Sequence, residues 1–252
     1  MKEKATLSAR DLSAGYGSKI VLSDINFDLA EGQIISLIGP NGSGKSTLLK
    51  TLMGDLPPLK GNVLLGDRDL GGLTKSDIAK VMAVMMTGNI RPEWMTCREM
   101  VASGRYPYTG LLGKLRAADA EAVDGAMELT GTSDLSFLYI TEISDGQRQR
   151  VLLAKAICQE PDILILDEPT TFLDIRYKLE FLNLLRLLAD KQHVTILMSL
   201  HELELVRLVS DRVICLKDGR LDEDGGREIL EDQYLRKLYG IGENEFPEYR
   251  II

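Results

Sequence analysis

Gly39-Pro40-Asn41-Gly42-Ser43-Gly44-Lys45-Ser46-Thr47 fits the phosphate-loop pattern G-x-x-x-x-G-K-[ST] at every fixed position. Upstream, Gln33-Ile34-Ile35-Ser36-Leu37-Ile38 is a short apolar run that reads as a buried strand. Downstream, Thr47 to Met53 reads as a helix stopped by Gly54. Strand, loop and helix in that order are the context the pattern requires. The glycines let backbone N–H groups turn inward around phosphate oxygens, and the helix N-terminus adds partial positive charge. Lys45 is then placed to reach the β- and γ-phosphates, and Ser46 to ligate Mg²⁺. The loop implies a nucleoside triphosphate without saying which machine uses it.

Working outward, 252 residues suit one α/β domain with a sizeable core and room for an inserted subdomain. Hydrophobic content of 44% and charged content of 27% give a soluble globular class. No apolar run approaches the ~18 residues of a membrane span, and Met1 to Thr6 lacks an apolar secretion segment. The expectation is a cytoplasmic protein unless a partner anchors it. Cys97, Cys158 and Cys215 are odd in number and widely spaced, which fits reduced, buried thiols. A net charge of −8 argues against a nucleic-acid partner.

Thr6 to Leu12 and Ile20 to Leu29 alternate apolar and polar residues, as antiparallel strands do, with a turn over Ala14 to Ser18 that holds Tyr16. Gly61 to Asp67 reads as a further strand and turn. From Gly88 to Ala156 the pattern is helical, and residues 88–156 read as a subdomain inserted into one domain spanning 1–252. Within it, Ala117 to Thr130 predicts a helix with Ala120, Val123 and Met127 near one face and Asp119, Glu121, Asp124 and Glu128 exposed. Ile143 to Arg150 opens the next helix, with Ser144 or Asp145 as its cap.

Asp162 to Leu166 is a near-continuous apolar strand ending in Asp167-Glu168-Pro169-Thr170. Carboxylates at the C-terminal end of a buried parallel strand lie where open α/β sheets bind ligands. Asp167 suits a Mg²⁺ shell, and Glu168 a general base on an attacking water. Asp174 caps a helix whose stripe is Leu179, Leu182, Leu185 and Leu188. Val194 to Met198 is another strand, followed by His201. Asp218-Gly219 predicts a type I′ hairpin between Arg212–Lys217 and Arg220-Leu221, and Arg227 to Gly240 a small terminal helix. In isolation, Tyr16 is a surface aromatic and His201 a polar turn residue.

Read together, Ile143-Ser144-Asp145-Gly146-Gln147, the phosphate loop and Asp167-Glu168 resemble the ATP-binding cassette (ABC) ATPases over essentially the whole chain. The resemblance implies a phosphate-loop core with a mixed sheet, an N-terminal antiparallel β subdomain and an inserted helical subdomain. It places Tyr16 on adenine and His201 on the γ-phosphate and attacking water. Gly39 through Thr47 cradle ATP and Asp167 lies on Mg²⁺. Ser144, Gly146 and Gln147 belong to the signature that completes the ATP site of a second copy.

Gly104-Arg105-Tyr106-Pro107 is similar to the ATPase subunits of importers for iron–siderophore, haem or cobalamin. The implied partners are therefore a second copy, integral membrane permease subunits and, indirectly, a substrate-binding protein. The implied place is the cytoplasmic face of the membrane. Two departures stand out. Ile143 and Asp145 replace the leucine and first glycine of the family's Leu-Ser-Gly-Gly-Gln. Counting back from Thr96-Cys97-Arg98-Glu99, Thr87 stands where the family has a metal-contacting glutamine, with Asn89 as a possible substitute. The alternatives are a soluble ABC ATPase acting on nucleic acid or ribosomes, and a slow ATP-dependent clamp.

Overall fold

A computed structural model describes residues 6–86, 92–110, 113–171, 173–242 and 245. Two long strands, β1 (Leu7–Tyr16) and β2 (Lys19–Leu29), pair antiparallel. Their turn is only Gly17 and Ser18. It is shorter than the spacing predicts, because buried Ala14 stays in the ladder opposite Leu22 and Gly15 opposite Ile20. β3 (Ile34–Ile38) is buried throughout and leads through the loop into α1 (Lys45–Leu52). β4 (Lys60–Leu65) and β5 (Arg68–Asp69) return to the first sheet, giving the order β2-β1-β4-β5.

After α2 (Lys75–Ala79) and β6 (Met82–Met85), the chain turns helical with α3 (Cys97–Ala102), α4 (Ala117–Leu129) and α5 (Asp145–Cys158), which pack on one another. Thr96 and Glu99 form a reciprocal capping box at the start of α3. The Thr-x-x-Glu spacing thus has a local physical reason.

The chain then supplies β7 (Ile163–Asp167), α6 (Ile175–Gln192), β8 (Thr195–Ser199), α7 (Leu203–Val209), β9 (Arg212–Lys217), β10 (Arg220–Gly225) and α8 (Asp232–Tyr239). The second sheet runs β10-β9-β3-β8-β7-β6. All its pairings are parallel except β10 with β9. Asp218 and Gly219 both have positive φ, 48 and 75, as the hairpin reading requires. The architecture is a mixed α/β fold with one antiparallel and one mostly parallel sheet. One apolar cluster joins the antiparallel sheet and α1 to one face of the parallel sheet. The other joins the opposite face to α3, α4, α5, α6 and α8.

Cys97, Cys158 and Cys215 are buried and free; burial pushes the Cys158 thiol up to about 11 and the Cys215 thiol up to about 12. Among the described residues no helix is long and apolar enough to cross a membrane.

Two side chains differ from the sequence expectation. Leu179 is 39% exposed, and Phe181 takes its place in the buried stripe of α6 with Leu182, Leu185 and Leu188. Asp119 is buried rather than solvated. Its carboxylate accepts the Arg116 N–H at 2.9 Å, capping α4, and the Arg105 Nε–H at 2.9 Å. Those two contacts, the backbone one first, hold it below the usual carboxylate range. Arg105 also donates to Cys158 O at 2.7 Å and to Glu160 at 2.6 Å, and stacks on Tyr108 with 4.2 Å to the ring centroid. The buried guanidinium thereby ties the stretch after α3 to the start of α4 and the end of α5.

Removing one partner of a buried ion pair costs about 3 kcal/mol or more, and a chain of this size shifts by about 2–4 °C per kcal/mol. Arg105→Met should therefore lower the thermal midpoint by roughly 6 °C or more. Arg98→Met, at an exposed pair with Asp124, should leave it nearly unchanged. Scanning calorimetry of both variants checks the contrast.

Candidate functional site

The loop after β3 bends through three glycines with positive φ: 146 at Gly39, 81 at Gly42 and 105 at Gly44. A β-carbon at Gly39 would stand 2.1 Å from Leu216 O, so the loop base closes on β9 only with glycine there. Lys45 opens α1 and is 7% exposed. Its ammonium donates to Gly39 O at 2.7 Å and Pro40 O at 3.1 Å, which aims it across the loop mouth. Burial lowers its pKa, and the carboxylates of Glu168 and Asp167 act in the opposite direction. The Ser43 hydroxyl is buried and has no hydrogen-bond partner among the described residues. An orphaned hydroxyl in a glycine-bent loop of this pattern suits an anionic oxygen.

The facing wall comes from the ends of β7 and β8. Asp167 is 8% exposed, and its Oδ1 accepts the Ser199 hydroxyl at 2.6 Å. Glu168 takes a left-handed backbone, φ 47, which costs a side-chain-bearing residue about 1–3 kcal/mol. Its N–H donates to Ser199 Oγ at 2.9 Å. His201 Nε2 lies 2.5 Å from Glu168 Oε1. A cleft of about 230 Å³ lies between the walls, lined by Val21, Asn41, Gly42, Gly44, Lys45, Ser46, Thr47, Glu168 and His201.

The structure thus brings the phosphate loop, Glu168 and His201 together, with Asp167 directly behind Glu168. It does not bring in every expected residue. Tyr16 is 50% exposed and does not line the cleft. Ser144, Gly146 and Gln147 stand at the start of α5, also outside it. Ser144 caps that helix in a box with Gln147, whose N–H it accepts at 3.3 Å while Gln147 Oε1 accepts the Ser144 N–H at 2.9 Å. Asp145 pairs with Arg148 one turn on. Thr87 and Asn89 lie outside the described residues.

Two neighbours escaped the sequence reading. Val21 gives no chemical signal. Ser199 does: it is a hydroxyl closing the apolar run Ile196-Leu197-Met198, next to a strand that ends in a carboxylate.

A glycine-bent phosphate loop facing carboxylates from a parallel strand two places away in the same sheet defines a phosphate-loop nucleotide-binding protein. More narrowly, residues 22–171 match the ABC transporter family, and the chain belongs to it. It is an ATP-binding subunit and an ATPase. An ABC transporter ATP-binding protein of Methanocaldococcus jannaschii, MJ0873, is 39% identical over 96% of this chain and 84% of its own length. The iron(3+)-hydroxamate import ATP-binding protein FhuC of Bacillus subtilis is 37% identical over 94% of this chain and 88% of its own. Among solved structures, a chain of a metal-chelate type ABC transporter in an inward-facing conformation superposes with TM-score 0.82 at 27% identity, over 94% of this chain and 89% of that one. The dimeric ATP-binding cassette MJ0796 bound to ADP and Pi shares the fold, with TM-score 0.77 at 23% identity over 88% of this chain and 98% of that one.

The loop geometry separates two glycines. Gly39→Ala meets both an unfavourable φ and the Leu216 carbonyl, whereas Gly42→Ala has nothing within 4 Å and meets only the φ. Overpacking adds about 1–3 kcal/mol. Gly39→Ala should therefore be the less stable variant by roughly that amount in urea unfolding. Equal midpoints would mean that the carbonyl contact does not constrain the loop.

Proposed function

We propose that this chain powers an importer for a metal chelate, of iron–siderophore, haem or cobalamin type, by hydrolysing ATP between two protomers beneath membrane permease subunits. The observation that carries the hydrolytic part is the contact of His201 with Glu168, 2.5 Å, facing Lys45 across the cleft. Glu168 accepts the proton of the attacking water, His201 orients Glu168 and meets the γ-phosphate, and Lys45 offsets phosphate charge. The phosphate loop, Gly39 to Thr47, wraps the phosphates, and Tyr16 stacks on adenine. Hard oxygen donors at Ser46 and Asp167 suit Mg²⁺ better than a softer metal, and Thr87 would complete the set. When bound, the ion would neutralise phosphate charge.

The cargo class is supported by the likeness to FhuC, named for iron(3+)-hydroxamate import, and by Gly104 to Pro107. The dimer is supported by the position of Ser144, Gly146 and Gln147, which sit at a helix N-terminus outside their own cleft and can serve a partner's ATP. The helices within 88–156 act as the subdomain that carries them. A permease would dock on the groove beside α3, where Trp94 is 83% exposed and Tyr106 63%. That docking holds the protein at the inner face of the membrane, with a substrate-binding protein delivering cargo on the far side.

Lys45→Ala should severely weaken ATP binding and turnover. Glu168→Gln should slow hydrolysis by roughly 10²–10⁴-fold while ATP binding persists. Equilibrium binding of a fluorescent ATP analogue beside phosphate release separates the two; normal hydrolysis by Glu168→Gln removes it from the role of base.

Shared sites make a second expectation. A Ser144→Arg protein mixed with a Lys45→Ala protein forms dimers with one doubly damaged site and one intact site. Activity should reappear on mixing, and its absence from isolated mixed dimers counts against independent composite sites.

A further inference from the structure

Ser199 ends β8, the strand lying between β3, which feeds the phosphate loop, and β7, which carries the carboxylates. It pairs directly with Asp167 in the parallel ladder. Ile196, Leu197 and Met198 before it are apolar and fully buried, and Ser199 itself is 1% exposed. Most side-chain polar groups at such a depth are hydrogen-bonded. It makes two bonds, donating to Asp167 Oδ1 at 2.6 Å and accepting the Glu168 N–H at 2.9 Å. The directions are forced. A backbone N–H only donates and a carboxylate only accepts, so one hydroxyl with one proton and two lone pairs satisfies both.

Both partners lie where β7 leaves the sheet. The ladder between β7 and β8 ends at the Asp167–Ser199 pair, and Glu168 then turns into left-handed backbone at φ 47. The Ser199 oxygen supplies the acceptor that the Glu168 N–H needs in that conformation. The same hydroxyl engages one Asp167 oxygen and so sets the rotation of the carboxylate.

We infer that Ser199 is a positioning residue for ATP hydrolysis: one buried hydroxyl sets both the rotamer of Asp167 and the backbone turn that presents Glu168 to His201. The inference rests on the assignment of Asp167 and Glu168 to metal and water above. Ser199 touches neither nucleotide nor metal and acts only through those two residues.

The test is the pair Ser199→Val and Ser199→Thr. The two side chains have the same shape, both suit a buried strand, and they differ in the hydroxyl alone. ATP turnover, its dependence on Mg²⁺, binding of a fluorescent ATP analogue without Mg²⁺, and thermal midpoint are measured for each. Groups that orient metal-binding side chains are worth roughly 10–100-fold in affinity or activity. Ser199→Val should lower kcat by that order, raise the Mg²⁺ concentration for half-maximal turnover, and leave metal-free nucleotide binding unchanged. Ser199→Thr should restore most of both losses. A purely structural hydroxyl predicts a different result, a lower midpoint with kcat and Mg²⁺ dependence alike in the two variants, and that result overturns the inference. Glu168→Gln in the same assays keeps the levels apart. If it hydrolyses ATP normally, the carboxylate assignment itself falls. If it is inactive while Val and Thr variants behave alike, only the role of Ser199 falls.

Discussion

One buried ammonium facing two carboxylates is the constraint on which the molecule turns. Lys45 has three donors, and loop carbonyls of Gly39 and Pro40 take two of them. The third remains for a substrate oxygen, and the ammonium is already aimed when that oxygen arrives. The strand order supplies the spacing. β8 alone separates β3 from β7, so at about 4.8 Å per strand the two walls stand roughly 10 Å apart. That gap accommodates a phosphate chain with a water at its end. Reversing β3 would send the loop, and reversing β7 the carboxylates, to the opposite end of the sheet.

Much of this was legible because its chemistry is local. The phosphate loop needs glycines and a lysine at fixed offsets, β7 needs a continuous apolar run, and the β9–β10 turn needs Asp-Gly. Each signal sits within a few residues of what it specifies. The misreadings share the opposite property. Asp119 looked solvated because a carboxylate on a helix usually is; its burial depends on Arg105, fourteen residues away, and on a neighbouring N–H that needs a cap. Leu179 looked buried because it keeps the helical spacing, but the larger Phe181 rotates the buried face of α6 toward itself. Ala14 and Gly15 looked like a turn because small residues favour turns, yet pairing with β2 holds them in the strand. Ser199 belongs with these: its meaning lies in β7, thirty-one positions from Glu168.

Arg105 shows how a family-like motif can have a structural cause. Gly104 would place a β-carbon 2.3 Å from Lys155 O, so the stretch after α3 lies directly on α5. That contact delivers Arg105 into a buried position where Asp119, Glu160 and the Cys158 carbonyl surround it. The neighbouring Tyr106 is left facing outward at the proposed permease groove. One short segment therefore locks the helices internally and presents an aromatic externally.

The departure at Asp145 can be weighed on the same terms. The capping box at α5 is made by the Ser144 and Gln147 side chains and the backbone N–H groups they meet, so it needs no particular side chain at position 145. Asp145 adds a negative charge at the helix N-terminus, where the macrodipole favours it, and Arg148 pairs with it. For the isolated chain the substitution is stabilising. In the proposed dimer the same end of α5 faces a partner's γ-phosphate, and the carboxylate then competes with the phosphate for the positive end of the helix. Arg148 is what makes both uses compatible: an arginine that pairs with Asp145 cancels its charge within one turn, and the N–H of Gly146 can still meet an anion.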